Sequence, residues 1–320
     1  RYDKVSFPEA LETLAHRAGL SLEKIMEEKP RRSRRVSSSS TPPRSLSMPS
    51  REILSRVVEH YHHTLCERED AQDYLKKRGL TDSQMVVDFR VGYADGSLLK
   101  LVPKGGELRE QLLSLGVLTK QGRELLGGCI VVPIPDPLNG QWVSLYGRGM
   151  KTERHCYLPG PFRGVVNYQA ARSSSEIILT ESILDALSFH QAGIKPAVPI
   201  YGTNGFTSDH LDLLKRENVS KVILALDNDE PGRKATETIK EKIASTGIEV
   251  SLACLPKGIK DANDYLTSRN GDAGDVFQKL ITEASTSASS SSPSSAKASS
   301  KIVVEEGQLV LRRNGLAYRA

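Results

Sequence analysis

From Glu176 onward, short apolar runs alternate with amphipathic segments, and this alternation constrains the fold more than any other feature of the chain. The runs EIILTE, AVPIYG, KVILALDND and EVSLACLP are typical of buried strands, and apolar residues recur at helical spacing in the segments between them. Parallel strands need long crossover connections, which are usually helices. The pattern therefore predicts an α/β domain over residues 175–282, with a parallel sheet flanked by helices.

The region before this domain, residues 51–174, has a different pattern. We predict one long helix over Ile53–Leu80, with Gly79 as a C-terminal cap. The runs VVDFRVGY, GCIVVPIPD and WVSLYGRG are separated by glycine and proline, which favours short strands joined in hairpins. The chain should therefore place a mixed α+β subdomain ahead of the parallel sheet.

The N-terminal end is expected to be less compact. Residues 1–29 contain a helical pair over Ser6–Ile25, whereas residues 30–50 are basic, rich in serine and proline, and typical of a disordered linker. Because Arg1 begins in the middle of a pattern, we expect the chain to be a fragment of a longer protein.

The C-terminal end also leaves the globular pattern. Residues 283–301 are Ser-rich and predict a second linker. Residues 302–320 predict the first hairpin of a further segment, with Asn314 and Gly315 at its turn.

Composition limits the classes of partner and compartment. The 320 residues carry a formal net charge of +5, which is compatible with a polyanionic partner. No apolar run is long enough to span a membrane. The four cysteines are scattered without the spacing of a zinc site, so we expect thiols in a reducing cytoplasm.

Acidic residues follow three of the predicted strands. The C-terminal ends of parallel strands share one edge of a sheet, and ligands bind there. Crowded carboxylates repel one another, and a divalent cation such as Mg²⁺ removes that repulsion. The carboxylates concerned are Glu181, Asp227 and Asp229, then Asp261 and Asp264, with Asp185 one helical turn after Glu181 as support.

A simpler interpretation exists for any single one of these residues. An aspartate after a strand often caps the next helix, and Asp229 stands directly before Glu230-Pro231-Gly232. Capping alone, however, does not require three strand ends to be acidic at once.

Three segments, EIILTESILDA, GTNG and LALDNDEPGRKA, resemble the signature segments of the Toprim domain. The resemblance implies that Glu181, Asp227 and Asp229 are catalytic and hold Mg²⁺ or Mn²⁺. In primase Toprim domains, further acidic positions are similar to Asp185, Asp261 and Asp264. Asn204 would then lie in a turn near the nucleotide, although a plain strand-to-helix turn is an equal alternative.

The preceding region resembles the polymerase domain of DnaG-type DNA primases, through AQDYLKKRGLTDSQMVVDFRVGYADGSLLK and CYLPGPFRGVVNYQAA. In that family, basic residues here hold the template and the incoming nucleotide, which implies roles for Arg148 and Arg163. A family lysine is replaced in this chain near His155 and Cys156, so Lys151 and Arg154 are further candidates.

The segment YDKVSFPEALETLAHRAGL resembles the end of the zinc-binding domain of these primases, whose Zn²⁺ ligands would lie before Arg1. No zinc ligands are predicted within this sequence. His60, His62, His63 and Cys66 fall inside a predicted helix rather than forming a clustered set.

The resemblance implies a nucleotidyltransferase of DNA replication, a DNA-directed RNA polymerase that makes RNA primers from ribonucleoside triphosphates on single-stranded DNA. A replicative helicase is the expected protein partner, and no membrane is involved. Two alternatives stay open, a Toprim nuclease and an inactive DNA-binding replication protein.

Overall fold

The computed structural model describes residues 48–268 and 273–289, together with the backbone of three strands between 301 and 319. The helical pair predicted within residues 1–29, and nearly all of the linker predicted for residues 30–50, lie outside the described residues. Among the described helices, none combines the length and apolar character that crossing a membrane requires.

The first part of the chain builds an antiparallel sheet beside several helices. Its four strands pair in sequence order, and the long β2–β3 hairpin runs from Cys129 to Gly149 as predicted. The elements are α1 (Met48–Glu67), α2 (Glu69–Lys77), α3 (Ser83–Asp88), β1 (Gly92–Ala94), α4 (Leu98–Leu101), α5 (Glu107–Leu115), β2 (Cys129–Pro135), β3 (Trp142–Gly149), β4 (His155–Tyr157) and α6 (Ala170–Ser173).

The prediction of one long helix over Ile53–Leu80 was wrong in two respects. The chain leaves the helical conformation at Arg68, which divides the segment into α1 and α2. The Arg68 guanidinium donates to Asp95 at 2.9 Å, a contact between residues far apart in sequence that no local pattern shows. The helix also begins at Met48, inside the predicted linker, whereas Gly79 adopts the left-handed conformation expected of a cap.

The run VVDFRVGY, predicted as a strand, begins as the end of helix α3 and becomes a strand only at Gly92. Asp82 caps α3 by accepting hydrogen bonds from the backbone N–H groups of Gln84 and Met85. Met85 and Phe89 are buried four residues apart on one face, which favours a helix over a strand. Only the last two residues of that run pair with β2, in the short strand Gly92–Ala94.

The predicted α/β domain is confirmed. Four parallel strands stand in the order β6-β5-β7-β8, with helices in the connections. The elements are β5 (Glu176–Thr180), α7 (Ile183–Gln191), β6 (Ala197–Pro199), α8 (Ser208–Arg216), β7 (Lys221–Ala225), α9 (Glu230–Ala244), β8 (Glu249–Leu252), α10 (Ala262–Ser268) and α11 (Ala273–Ser289).

The C-terminal boundaries differ from the prediction. Helix α11 continues to Ser289, into the predicted linker 283–301, because buried Phe277, Ile281 and Ala284 extend its apolar face. Beyond it, β9 (Lys301–Glu305), β10 (Gln308–Arg313) and β11 (Leu316–Arg319) form an antiparallel sheet, so the predicted hairpin supplies two strands of a three-stranded meander. Asn314 and Gly315 lie outside the described residues.

The four residues that were considered as zinc ligands all lie in α1. They are His60, His62, His63 and Cys66. His60 Nε2 is 3.0 Å from the hydroxyl of Ser97, and His62 Nδ1 is 2.7 Å from the carbonyl oxygen of Val91. These two histidines therefore tie α1 to the segment around β1.

The antiparallel and parallel sheets share one core. A single apolar cluster contains Ile130 and Tyr146 from the antiparallel sheet, Leu187 from α7, and Tyr265 from α10. Asn263 is buried at this boundary. Its amide donates to the carbonyl oxygen of Arg78 and to the hydroxyl of Ser188, both at 2.9 Å, and its oxygen accepts from the Arg78 guanidinium at 3.1 Å.

Replacing Asn263 with alanine should lower the free energy of unfolding by about 2–4 kcal/mol, because buried partners on both sides of the boundary lose their hydrogen bonds. Chemical denaturation would measure the change. Gln121→Ala, which also replaces an amide side chain but in an exposed turn, is the control and should change stability by less than about 0.5 kcal/mol. Equal stability of the two variants would contradict this role.

Candidate active site

The structure brings the acidic ends of three strands to one edge of the parallel sheet. Strands β5 and β7 are neighbours with Thr180 opposite Ala225, so Glu181 and Asp227 emerge side by side. The backbone N–H of Asp227 donates to the Glu181 carboxylate at 3.3 Å. The loop after β8 is tied to the same edge, because the N–H of Asn228 donates to the carbonyl oxygen of Lys260 at 3.0 Å.

These carboxylates act strongly on one another. Burial, followed by the negative charges of Asp185, Glu181, Asp261 and Asp229 in that order of importance, raises the pKa of Asp227 to about 8. Burial also raises the pKa of Glu181, with Asp229 and Asp261 adding to the effect. The edge is therefore a concentrated acidic site whose full ionisation is unfavourable without a cation.

Asp185 is buried and held by protein groups. It forms a capping box with Ser182, whose hydroxyl donates to its carboxylate at 2.6 Å, and it also accepts from the N–H of Asn263 at 3.1 Å. Burial, followed by the charge of Asp261, raises its pKa. Asp185 thus fixes the start of α7 and acts electrostatically on Asp227, whereas the sequence predicted that it supports Glu181.

Asp229 does cap a helix. Its Oδ1 accepts from the N–H of Gly232 at 2.8 Å at the start of α9, as the simpler interpretation proposed. In the last acidic segment, Asp261 Oδ1 accepts from the N–H of Asp264 at 2.8 Å. Burial and the charge of Asp261 raise the pKa of Asp264, which is mostly exposed.

The donor set has the chemistry that a hard divalent cation requires, because it consists of crowded carboxylates with raised pKa values. Within the described residues, no group of three or more His, Cys, Asp or Glu side chains is already arranged to hold a metal ion. The carboxylates of the acidic edge thus fit Mg²⁺ or Mn²⁺ by their chemistry and by their common position at one end of the sheet, although the described side chains are not already gathered around one point.

Gly232 allows α9 to start close to Asp227. A Cβ atom at this position would lie 2.2 Å from the carbonyl oxygen of Asp227. We expect Gly232→Ala to displace the Asp227 segment and to destabilise the protein by about 1–3 kcal/mol, the usual cost of overpacking. Gly105→Ala is the control, because no atom lies within 4 Å of a Cβ there. Thermal unfolding of both variants would test this, and equal midpoints would contradict it.

A basic face lies across from the carboxylates. Tyr146 and Arg148 on β3 pair with Tyr157 and His155 on β4, so all four belong to one face of the antiparallel sheet. Burial raises the pKa of Tyr146, and the charge of Asp185 adds a smaller contribution, so this face lies within electrostatic reach of the acidic edge. Arg148 is buried, and its guanidinium contacts His155 and the carboxylate of Glu153.

Two further cations, Lys260 and Arg78, lie close to this face. The sequence did not predict either of them. Burial lowers the pKa of His155, and the positive charges of Arg148, Lys260 and Arg78 lower it further. Lys260 directly precedes Asp261, so its position in sequence could have indicated it. Arg78 lies at the end of α2, far from every acidic segment, and only the tertiary structure brings it here.

The other predicted cations are not part of this group. Arg154 directly precedes β4, and its guanidinium contacts the sulfur of Cys156 and the carbonyl oxygen of Leu125 instead. Lys151 is exposed. Arg163 lines a separate cavity of about 270 Å³ that also contains Asp209 and Asp212.

Asn204 is exposed in the turn after β6. The turn is fixed beside the acidic edge, because the N–H of Gly202 donates to the carbonyl oxygen of Glu181 at 3.0 Å. Gly205 lies so close to the backbone of Tyr201 that a Cβ atom would be 2.3 Å from it. The turn therefore has a fixed geometry, which either predicted role of Asn204 can use.

A parallel four-stranded sheet with an acidic C-terminal edge defines the class as Toprim-like, and residues 178–266 match the Toprim-like family model. Residues 60–163 match the N-terminal domain of the DNA primase catalytic core. The chain is 31% identical over 291 residues to the DNA primase of Deinococcus radiodurans, covering 85% of this chain and 47% of that protein. It is 28% identical to the DNA primase of Pseudomonas aeruginosa, covering 88% and 44%.

Solved primase structures have the same fold. A DNA primase domain from Pseudomonas aeruginosa superimposes with a TM-score of 0.63 at 25% identity, covering 74% of this chain and 79% of that one. The zinc-binding and RNA polymerase domains of the Aquifex aeolicus primase give 0.65 at 24% identity, covering 87% and 67%. The chain resembles DnaG-type DNA primases in both sequence and fold, and it spans about half the length of the curated relatives that it matches.

Proposed function

We propose that this chain is the catalytic core of a primase that synthesises short RNA primers on single-stranded DNA. The observation that carries the proposal is the acidic edge of the Toprim sheet facing a basic face of the preceding domain. Nucleotidyl transfer needs this pairing, because carboxylates hold a divalent cation while cations hold the triphosphate and the nucleic-acid backbone.

In this proposal Glu181, Asp227 and Asp229 hold the metal, and Asp185, Asp261 and Asp264 tune the charge around it. Bound Mg²⁺ or Mn²⁺ would supply charge neutralisation and a lower pKa for the attacking hydroxyl. Arg148, Lys260 and Arg78 hold phosphates of the incoming ribonucleoside triphosphate. The primer 3′-oxygen attacks the α-phosphorus, and the bond to pyrophosphate breaks.

The remaining residues have supporting roles in the proposal. Arg163 and Lys151 contact the template or primer backbone at the margin of the site, and Asn204 lies at the nucleotide turn. A solved DnaG primase catalytic domain with the same fold, at 24% identity, is bound to single-stranded DNA, which supports this choice of template. A replicative helicase partner, a cytoplasmic location and Zn²⁺ in the preceding part of the protein stay predictions.

The experiment incubates the chain with a single-stranded DNA template, labelled ribonucleoside triphosphates and Mg²⁺ or Mn²⁺. Labelled products longer than a dinucleotide, absent when EDTA is added, support the proposal. Shortening of the template would instead identify a Toprim nuclease. Binding of the template without either product would identify a DNA-binding replication protein without activity.

A further inference from the structure

One aromatic side chain beside the acidic edge is exposed. Among the described residues, the large apolar side chains that are strongly exposed are Val87, Leu101, Leu113, Leu138 and Phe162, and only Phe162 carries a ring. Its exposed fraction is 41%. A single exposed apolar side chain is ordinary at a protein surface, so a role for Phe162 has to be argued from how the structure holds it and from what lies beside it.

The position of Phe162 is fixed by other rings. It packs edge-on against Tyr157, with ring centroids 4.9 Å apart, and against Tyr201 at 5.8 Å. Tyr157 belongs to the basic face, since it pairs with Tyr146 two residues from Arg148. Phe162 therefore stands at the margin of the face that carries the cations.

The backbone that follows Phe162 is also held firmly. The Tyr201 hydroxyl donates to the carbonyl oxygen of Gly164 at 2.9 Å and accepts from the N–H of Val166 at 3.2 Å. The N–H of Gly164 donates to the Asp209 carboxylate at 2.7 Å. An exposed ring on such a fixed segment loses little conformational entropy when a ligand stacks on it.

Phe162 is close to the chemistry as well. Tyr201 precedes Gly202, whose N–H donates to the carbonyl oxygen of Glu181. One ring, Tyr201, therefore separates Phe162 from the chain segment that supplies the first carboxylate. The aromatic margin, defined here as Tyr157, Phe162 and Tyr201, thus adjoins both the acidic edge and the basic face.

We propose that Phe162 is a stacking surface for an unpaired base of the single-stranded nucleic acid in this site. Every base has a π face, so a fixed aromatic ring beside backbone-binding cations binds single strands without requiring one sequence. The inference rests on the proposed function and adds a specific contact to it. It assigns Phe162 to base contact, whereas the cations contact phosphates.

The test uses tryptophan fluorescence. The chain contains one tryptophan, Trp142, so Trp142→Phe combined with Phe162→Trp places a single indole at the proposed surface. Binding of a labelled single-stranded oligonucleotide is followed by fluorescence anisotropy, and stacking by quenching of the indole. We expect quenching that saturates together with the anisotropy, and no quenching with blunt double-stranded DNA.

Affinity for the oligonucleotide gives an independent readout. Phe162→Leu keeps an apolar contact with Tyr157 and Tyr201 but removes the π face. We expect weaker binding, with a dissociation constant about 5- to 100-fold higher. Phe162→Tyr should bind like the parent, and Val87→Ala, at a comparably exposed apolar position, is the control. Binding without quenching, or an unchanged dissociation constant for Phe162→Leu, would overturn the stacking surface alone. Absence of any anisotropy change would overturn the proposed function with it.

Discussion

Replacing Asp227 with asparagine is expected to abolish primer synthesis and, in the absence of divalent cations, to stabilise the fold. The carboxylate lies at the centre of the acidic edge, where four other carboxylates act on it. A metal contributes several kcal/mol of charge stabilisation in the transition state, and about 1.4 kcal/mol corresponds to a tenfold rate change. We therefore expect a loss of about 10³-fold in the rate of primer synthesis.

The gain in stability follows from the direction of the pKa shift. Folding raises the pKa of Asp227 from its ordinary value of 3.8 to about 8, so the folded state binds more protons than the unfolded state between these values. Stability of the metal-free protein must then fall as pH rises through this window and level off above it. Asparagine removes the titrating group and should make the dependence shallower.

Thermal unfolding in EDTA between pH 5 and pH 9 measures this effect. At pH 8 the asparagine variant should unfold a few degrees above the parent, since about 1 kcal/mol moves the midpoint by about 2–4 °C in a protein of this size. Added Mg²⁺ should raise the midpoint of the parent more than that of the variant. Asp73→Asn, at an exposed position on α2, is the control. A variant that is less stable than the parent in EDTA would contradict the proposed repulsion.

Replacing Arg148 with methionine should have the second largest effect. Its side chain is only 8% exposed on the basic face, and it keeps its charge beside His155 and Glu153. Charge-assisted hydrogen bonds from a guanidinium to phosphate contribute about 1.5–3 kcal/mol. We expect kcat/KM for ribonucleoside triphosphates to fall by about 10- to 100-fold.

Steady-state primer synthesis at saturating template measures this change. Arg148→Lys should recover only part of the loss, because an ammonium group cannot make the planar two-pronged contact of a guanidinium. Arg172→Met is the matched control, since its guanidinium lies over Tyr168 and pairs with Glu217. An unchanged kcat/KM in Arg148→Met would exclude Arg148 from nucleotide binding.

Two expectations failed for different reasons, one because of a distant contact and one because of a local helix cap. The predicted single helix over Ile53–Leu80 is divided at Arg68, whose guanidinium binds Asp95. The VVDFRVGY run is apolar enough for a strand, yet the Asp82 cap and the buried face of α3 favour a helix. The contact that divides the first segment joins residues far apart in sequence, whereas the Asp82 cap lies within three residues of its partners.

The amino-acid sequence by itself determined the parallel sheet, the helices between its strands, and the acidic residues at Glu181, Asp227 and Asp229. It could do so because buried parallel strands have a strong local pattern and because their C-terminal ends must share an edge. Tertiary structure alone decided which groups face that edge. Arg78 and Lys260 join Arg148 there while Arg154 does not. Strand pairing and the hydrogen bond from Arg78 to Asn263 place these side chains, whose separation in sequence carries no signal.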